Sequence, residues 1–226
     1  NQFLLNDDRM IAVTKEKAAE AERFNEFLQQ YAVGKSVFFG SYEQDDDEAN
    51  GPEPIEWLVI EQEGDKALIL SRYGLDNIPY DTSPAQTTSW EDCTLRSWLN
   101  ENFLNAAFTV DEREEIAEHE DAGDPVFVLS QETVRNNPYY IDGHGEYKEF
   151  HNDFLNCLLT KKALADGAWA VYNNICWWWS STPYKDTNEV YGLGPDGGSS
   201  TRNVSDSKFA VRPALWLDLT AVYKTN

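Results

Sequence analysis

Two runs of bulky, nearly unbroken apolar residues dominate the C-terminal part of the chain, Ile175-Cys176-Trp177-Trp178-Trp179 and Phe209 to Leu217. Short, aromatic-rich and bounded by Ser, Pro and Gly, they predict buried β-strands. The polar, Gly-rich stretch between them predicts loops and hairpins, so loops would carry recognition while strands hold them still. Upstream, Ser36 to Tyr42 predicts a strand. Pro54 to Ile60 and Lys66 to Ser71, joined at Glu63-Gly64-Asp65, predict a β-hairpin, and Pro125 to Ser130 predicts a further strand.

Helical periodicity marks three other segments. Asp7 to Tyr31 predicts one helix with Phe24, Phe27, Leu28 and Tyr31 on a single face. That stripe is sustained only in the last two turns, which favours docking on the domain over a coiled coil or a stalk. Ser89 with Asp92 reads as a capping box ahead of Leu95, Trp98, Leu99 and Phe103. Asp153 to Ala165, with Phe154, Leu155, Leu158, Leu159 and Leu164, predicts a third helix. Arg72 to Gln86 and Asn136 to Phe150 read as irregular loop, and Asp111 to Asp121 as charged helix or loop. The order of these elements predicts an α+β fold, with residues 1–33 as an N-terminal helix or linker and 34–226 as one domain.

Charge narrows the partners. Forty acidic against eighteen basic residues give a formal charge of −22, and such a field repels phosphate backbones and anionic bilayers. Nucleic acid is therefore not an expected partner. No apolar run approaches the roughly 20 residues of a membrane span, so no direct insertion of this chain is expected either. The sequence begins with Asn1 rather than Met, which suggests an upstream leader, anchor or domain.

Candidate chemistry is sparse. Cys93, Cys157 and Cys176 form no CxxC motif and no disulfide framework, though they leave room for one disulfide. Cys93 lies near a predicted helix start, where a thiolate is favoured, but a small buried hydrophobe fits it better. His119, His144 and His151 make no HExxH pair, and Asp45-Asp46-Asp47-Glu48 fails as a calcium loop because Asn50 stands where Gly is needed. Gly192 to Gly197 spells GxGxxG, yet further Gly and Ser follow where a dinucleotide site needs a helix, so turns are expected. No catalytic residue, metal ligand or cofactor is expected.

The aromatic cluster remains. Strand alternation would turn Trp177 and Trp179 one way and Trp178 the other, so one set would be core. Trp178, with Tyr184, Asp186, Asn188 and Arg202 from the following loops, would then line a stacking surface for a sugar or peptide. Burial of all three tryptophans is the competing expectation. Arg212, before Pro213, reads as a structural ion pair.

Gly34, Phe38-Phe39-Gly40, Tyr42, Pro54 to Val59, Leu75-Asp76, Trp90 to Asn100, Val126 to Ser130, the Trp cluster and Val211-Arg212-Pro213-Ala214-Leu215 together resemble an uncharacterised bacterial family. That family is a domain of unknown function related in architecture to formylglycine-generating enzymes and C-type-lectin-like domains. The resemblance covers roughly Gly34 to Leu217. It implies a compact, loop-rich α+β fold with a small twisted antiparallel sheet and two flanking helices, and no established activity. Where the family tends to read Trp-Trp-Leu-Arg-Ser-Pro, this chain has Trp177-Trp178-Trp179-Ser180-Ser181-Thr182-Pro183, so an arginine-based site is not expected there. Copper chemistry of the formylglycine-generating kind needs converging thiolates, which only Cys157 and Cys176 could supply across the fold.

The expected function is thus a non-catalytic module that presents a loop surface to a glycan, peptide or protein, in a bacterial cell-surface or secreted setting, with the cytoplasm as the open alternative. An enzyme of unknown reaction and a structural accessory domain joined through its N-terminal helix are the alternatives.

Overall fold

A computed structural model describes residues 2–118, 123–137, 154–185, 187–195 and 198–225. In chain order the elements are α1 (Gln2–Leu28), β1 (Ser36–Tyr42), β2 (Glu53–Glu63), β3 (Lys66–Ser71), β4 (Tyr73–Gly74), α2 (Thr94–Trp98), α3 (Leu104–Ala107), α4 (Val110–Glu114) and α5 (Gln131–Asn136). They continue with β5 (Leu158–Leu159), α6 (Lys161–Ala165), β6 (Ala170–Tyr172), β7 (Ile175–Cys176), β8 (Trp178–Pro183), β9 (Glu189–Leu193), β10 (Ser199–Asn203), β11 (Ala214–Asp218) and α7 (Leu219–Thr225). The fold is α+β. Three sheets run β1-β2-β3-β11, β10-β9-β8 and β4-β5-β7-β6, and their pairings are antiparallel except for β4 with β5.

The first sheet divides the core. On β2, β3 and β11, Trp57, Val59, Ile69, Leu215 and Leu217 enter one apolar cluster, while Leu58, Ile60, Leu68, Leu70 and Trp216 enter a second. Period-two alternation along buried strands requires this split, because successive side chains leave opposite faces. A sheet buried on both faces also explains why its strands read as continuous apolar runs rather than alternating ones.

β1 and the β2–β3 hairpin occur where the pattern predicts them, and Gly64 turns the hairpin at φ 61°. The N-terminal helix docks by its last turns. Phe24 and Phe27 lie 5.2 and 5.1 Å from Tyr223 of α7, whereas residues 12–23 of α1 are exposed.

Other segments depart from expectation. α2 starts at Thr94, not after Ser89, because the Ser89 hydroxyl is engaged by Glu91 at 2.7 Å and the Cys93 sulfur accepts from the Arg96 amide instead. The predicted Asp153–Ala165 helix is broken: Leu158–Leu159 is a strand, and Thr160 caps the short α6 by accepting from the Ala163 amide at 3.1 Å. Pairing with Tyr73–Gly74 and Ile175 outweighed the local helical pattern there. The predicted Pro125–Ser130 strand is reduced to a bridge at Phe127, which exchanges two backbone bonds with Ala214, while Pro125 and Val126 form a bend. The Phe209–Leu217 run is regular strand only from Ala214, since Pro213 has no amide hydrogen to donate. Among the described residues the α-helices after α1 are all short. The loop reading of Asn136 to Phe150 falls mostly outside the described residues.

Asp81 anchors the loop that carries α2. Its buried carboxylate accepts from the amides of Ser83, Thr87 and Thr94 and from the Ser83 hydroxyl. Burial opposes its ionisation, but these hydrogen bonds outweigh it and hold the group below its ordinary value of 3.8. A carboxyl depressed by folding contributes stability above its unfolded pKa and loses it as pH falls through the folded value. Asp81→Asn is therefore expected to lower the urea midpoint at pH 7, with the gap from wild type closing below about pH 4. A gap that is constant from pH 7 to 3 would show that the charge of Asp81 is irrelevant.

Candidate functional site

A cavity of about 450 Å³ opens on the face of the first sheet that carries the second cluster, walled by Leu68, Trp90, Phe127, Leu129 and Trp216. Ser130, Thr133 and Ser181 supply hydroxyls, and Glu61 and Glu63 supply carboxylates. The volume falls within the range of small-ligand sites, and the lining mixes apolar side chains with a nearly equal share of polar ones.

Each wall is held from behind. Leu68 and Trp216 are paired across β3 and β11. A bulge between Val59 and Glu61 shifts the end of β2 and re-aims its side chains. Phe127 is fixed by its exchange with Ala214, and Leu129 by the Ser181 amide, which donates to its carbonyl at 3.1 Å. The Ser130 hydroxyl accepts from the Thr133 amide at 3.0 Å, capping α5. The Trp90 indole N–H donates to Asp124 at 2.9 Å, and Arg96 grips the same carboxylate at 2.6 Å.

The residues singled out from sequence are dispersed. Trp178 is fully buried, with the Arg212 guanidinium 5.0 Å from its ring centroid, so it offers no stacking surface. The alternation itself holds: Trp179 and the partly buried Trp177 pack on one cluster and Trp178 on the other. Both sides of β8 are core, which alternation alone could not reveal. Tyr184 packs edge-on against Tyr191 at 5.2 Å, and exposed Asn188 donates to the Gln86 side chain at 3.0 Å. Thr201 lies opposite Tyr191 and Arg202 opposite Val190, so Arg202 and the Tyr184–Tyr191 pair occupy opposite faces of the β8–β10 sheet. Asp186, His119, His144 and His151 lie outside the described residues. The cavity residues were missed because they come from distant segments and share no local motif.

Cysteine placement is more specific. Cys157 flanks β5, not the apolar face of a helix, and Cys176 lies across from it, donating its amide to the Cys157 carbonyl at 2.9 Å. The Cys176 sulfur is 3.3 Å from that same oxygen. Burial and the neighbouring thiol push Cys176 up, while burial of Cys157 is outweighed by its bond with Cys176 and by the Arg212 charge, which draw it down. Both are fully buried. Burial pushes the Cys93 thiol up to about 11, so the helix start it caps does not make it a thiolate at neutral pH. In the acidic run, carboxylate oxygens of Glu43, Asp45 and Glu53 come within 4.8 Å of one another. Asp45 and Glu53 are already engaged by the amides of Asp47 and Gln44, as a solvated turn requires. Of the GxGxxG stretch, Gly192 and Leu193 belong to β9 and the Gly194 amide donates to the Gly198 carbonyl at 3.0 Å, while Asp196 and Gly197 lie outside the described residues.

A family model described as Domain of unknown function (DUF6273) matches residues 64–219. The chain belongs to this family. Within the DUF6273 region lie Leu68, Trp90, Phe127, Leu129, Ser130, Thr133, Ser181 and Trp216 of the cavity, whereas Glu61 and Glu63 precede it. No curated protein and no solved structure matches the chain. No helix among the described residues is long and apolar enough to cross a membrane.

Proposed function

We propose that this chain is a non-catalytic binding module whose cavity receives a segment of a glycan or peptide. The observation that carries this reading is the wall chemistry: indoles of Trp90 and Trp216 beside three hydroxyls, at a mouth bearing two carboxylates. Aromatic faces bind the apolar side of a sugar ring or a peptide side chain, while hydroxyls and carboxylates match hydroxyl or amide donors. The described thiols do not line this cavity. The resemblance to formylglycine-generating-enzyme-like and C-type-lectin-like domains, and a bacterial surface or secreted setting, belong to the same proposal. Several small antiparallel sheets with long connecting loops support that kinship.

Because two tryptophans line the cavity, their fluorescence reports occupancy. Titration with a panel of neutral oligosaccharides and tripeptides is expected to shift the emission of wild type. Ser181→Phe, which fills the cavity, is expected to weaken the response about tenfold or more. A panel with no responding member, or equal responses from both proteins, would reject the cavity as the site.

A further inference from the structure

Arg202 is held in an unusual way for a basic residue in so acidic a chain. The carbon at the centre of its guanidinium lies 5.5 Å from the ring centroid of Trp169 and 5.5 Å from that of Phe209. Phe209 is itself fixed, edge-on to Trp179 at 4.8 Å and stacked with Trp177 at 6.1 Å. Gly192 admits that ring, since a β-carbon there would fall 2.0 Å from it. The Arg202 Nε is buried with no hydrogen-bond partner, and among the described residues no carboxylate pairs with the guanidinium. With 40 acidic side chains in the sequence, an arginine held by rings instead of by a carboxylate is a cation without a counter-charge among the described residues.

With two rings against the guanidinium and its Nε buried, the terminal nitrogens are the part left to a ligand. There its N–H groups lie in one plane, which matches a planar carboxylate through two parallel hydrogen bonds. Trp169 remains 44% exposed, so its ring can take a second body beside the one Arg202 covers. The main chain of exposed Lys208 lies beside Trp169, its carbonyl accepting from the Trp169 amide at 3.0 Å, and the Asp206 carboxylate there is engaged by the Lys208 amide at 2.8 Å. We propose that Arg202 and Trp169 form a receptor for a carboxylate borne on a saturated ring, the chemistry of a uronic acid sugar, with Arg202 binding the carboxylate and Trp169 the ring. This site shares no residue with the cavity and stands or falls separately from it. The repulsive field of the whole chain is screened beyond about 8 Å at physiological ionic strength, so the local cation decides.

Tryptophan fluorescence titrations with glucuronate, its neutral methyl ester, acetate and glucose 6-phosphate test the proposal on the intact chain. Glucuronate is expected to bind about tenfold more tightly than the ester, which lacks the charge, and than acetate, which lacks the ring. Arg202→Lys keeps the charge but loses the fork and is expected to weaken glucuronate about tenfold. Trp169→Leu, at an exposed position where folding is least at risk, is expected to reduce glucuronate to the level of acetate. Equal binding of glucuronate and ester, no binding of either, or an unchanged Arg202→Lys protein would overturn the site. Tighter binding of glucose 6-phosphate would overturn the carboxylate assignment. Retention of cavity ligands by both variants, with loss of glucuronate alone, separates this site from the cavity.

Discussion

Replacing Arg212 by alanine is expected to destabilise the protein by about 3 kcal/mol or more, while Arg212→Met costs clearly less. The side chain is fully buried at the junction of three elements. Its Nε donates to the Ser71 carbonyl at 2.8 Å and one terminal nitrogen to the Phe154 carbonyl at 2.6 Å, while its plane lies over Trp178. Alanine strands two buried acceptors, each worth about 1–3 kcal/mol when left unpaired, and opens a void under the indole. Methionine strands the same acceptors and, like alanine, removes the buried cation, but it fills the void under the indole. The difference between the two variants thus isolates the packing contribution. Urea denaturation of both, with slopes compared to confirm cooperative unfolding, gives the answer. Equal losses would mean that packing contributes little, and a loss below about 1 kcal/mol for alanine would mean that Arg212 holds nothing together.

Trp179→Ala is expected to cost about 3–5 kcal/mol, the range for removing a large buried aromatic. The indole is fully buried, packs against Phe209 and Tyr80, and donates its N–H to the Ile78 carbonyl at 3.1 Å. Trp179→Phe keeps much of the volume but strands the carbonyl, so an intermediate loss is expected. Because Phe209 leans on Trp179 and Arg202 leans on Phe209, even the folded fraction of the alanine variant should bind glucuronate more weakly than wild type. Thermal melts and the glucuronate titration on the same preparation read both effects. A variant that melts like wild type would show that the cluster relaxes around the hole, contrary to the close packing drawn here.

Where local pattern and tertiary packing agreed, the chain was readable. The β2–β3 hairpin follows from two β-rich runs around Gly64, and the docking of α1 from four aromatic and aliphatic positions in its last turns. Leu158 and Leu159 show the opposite case. Their helical spacing was real, but a two-residue strand completes a sheet whose other members lie far away in sequence, and no local signal records such partners. Cys93 was legible as a residue at a helix start, yet its reactivity was not, because desolvation depends on what covers the sulfur.

The candidate sites follow the same division. Composition and alternation were enough to establish an acidic, aromatic-rich α+β chain and to separate Trp178 from Trp177 and Trp179. They carried no information on what lies above each face of β8, so Trp178 read as a ligand contact although it is core. The cavity depends on segments from β2 to β11, and the clamp on Arg202 on Trp169 and Phe209, more than thirty and seven residues away. Sequence period reports which way a side chain points relative to its neighbours; burial, and with it pKa and access to ligand, is set by long-range packing that only the folded chain brings together.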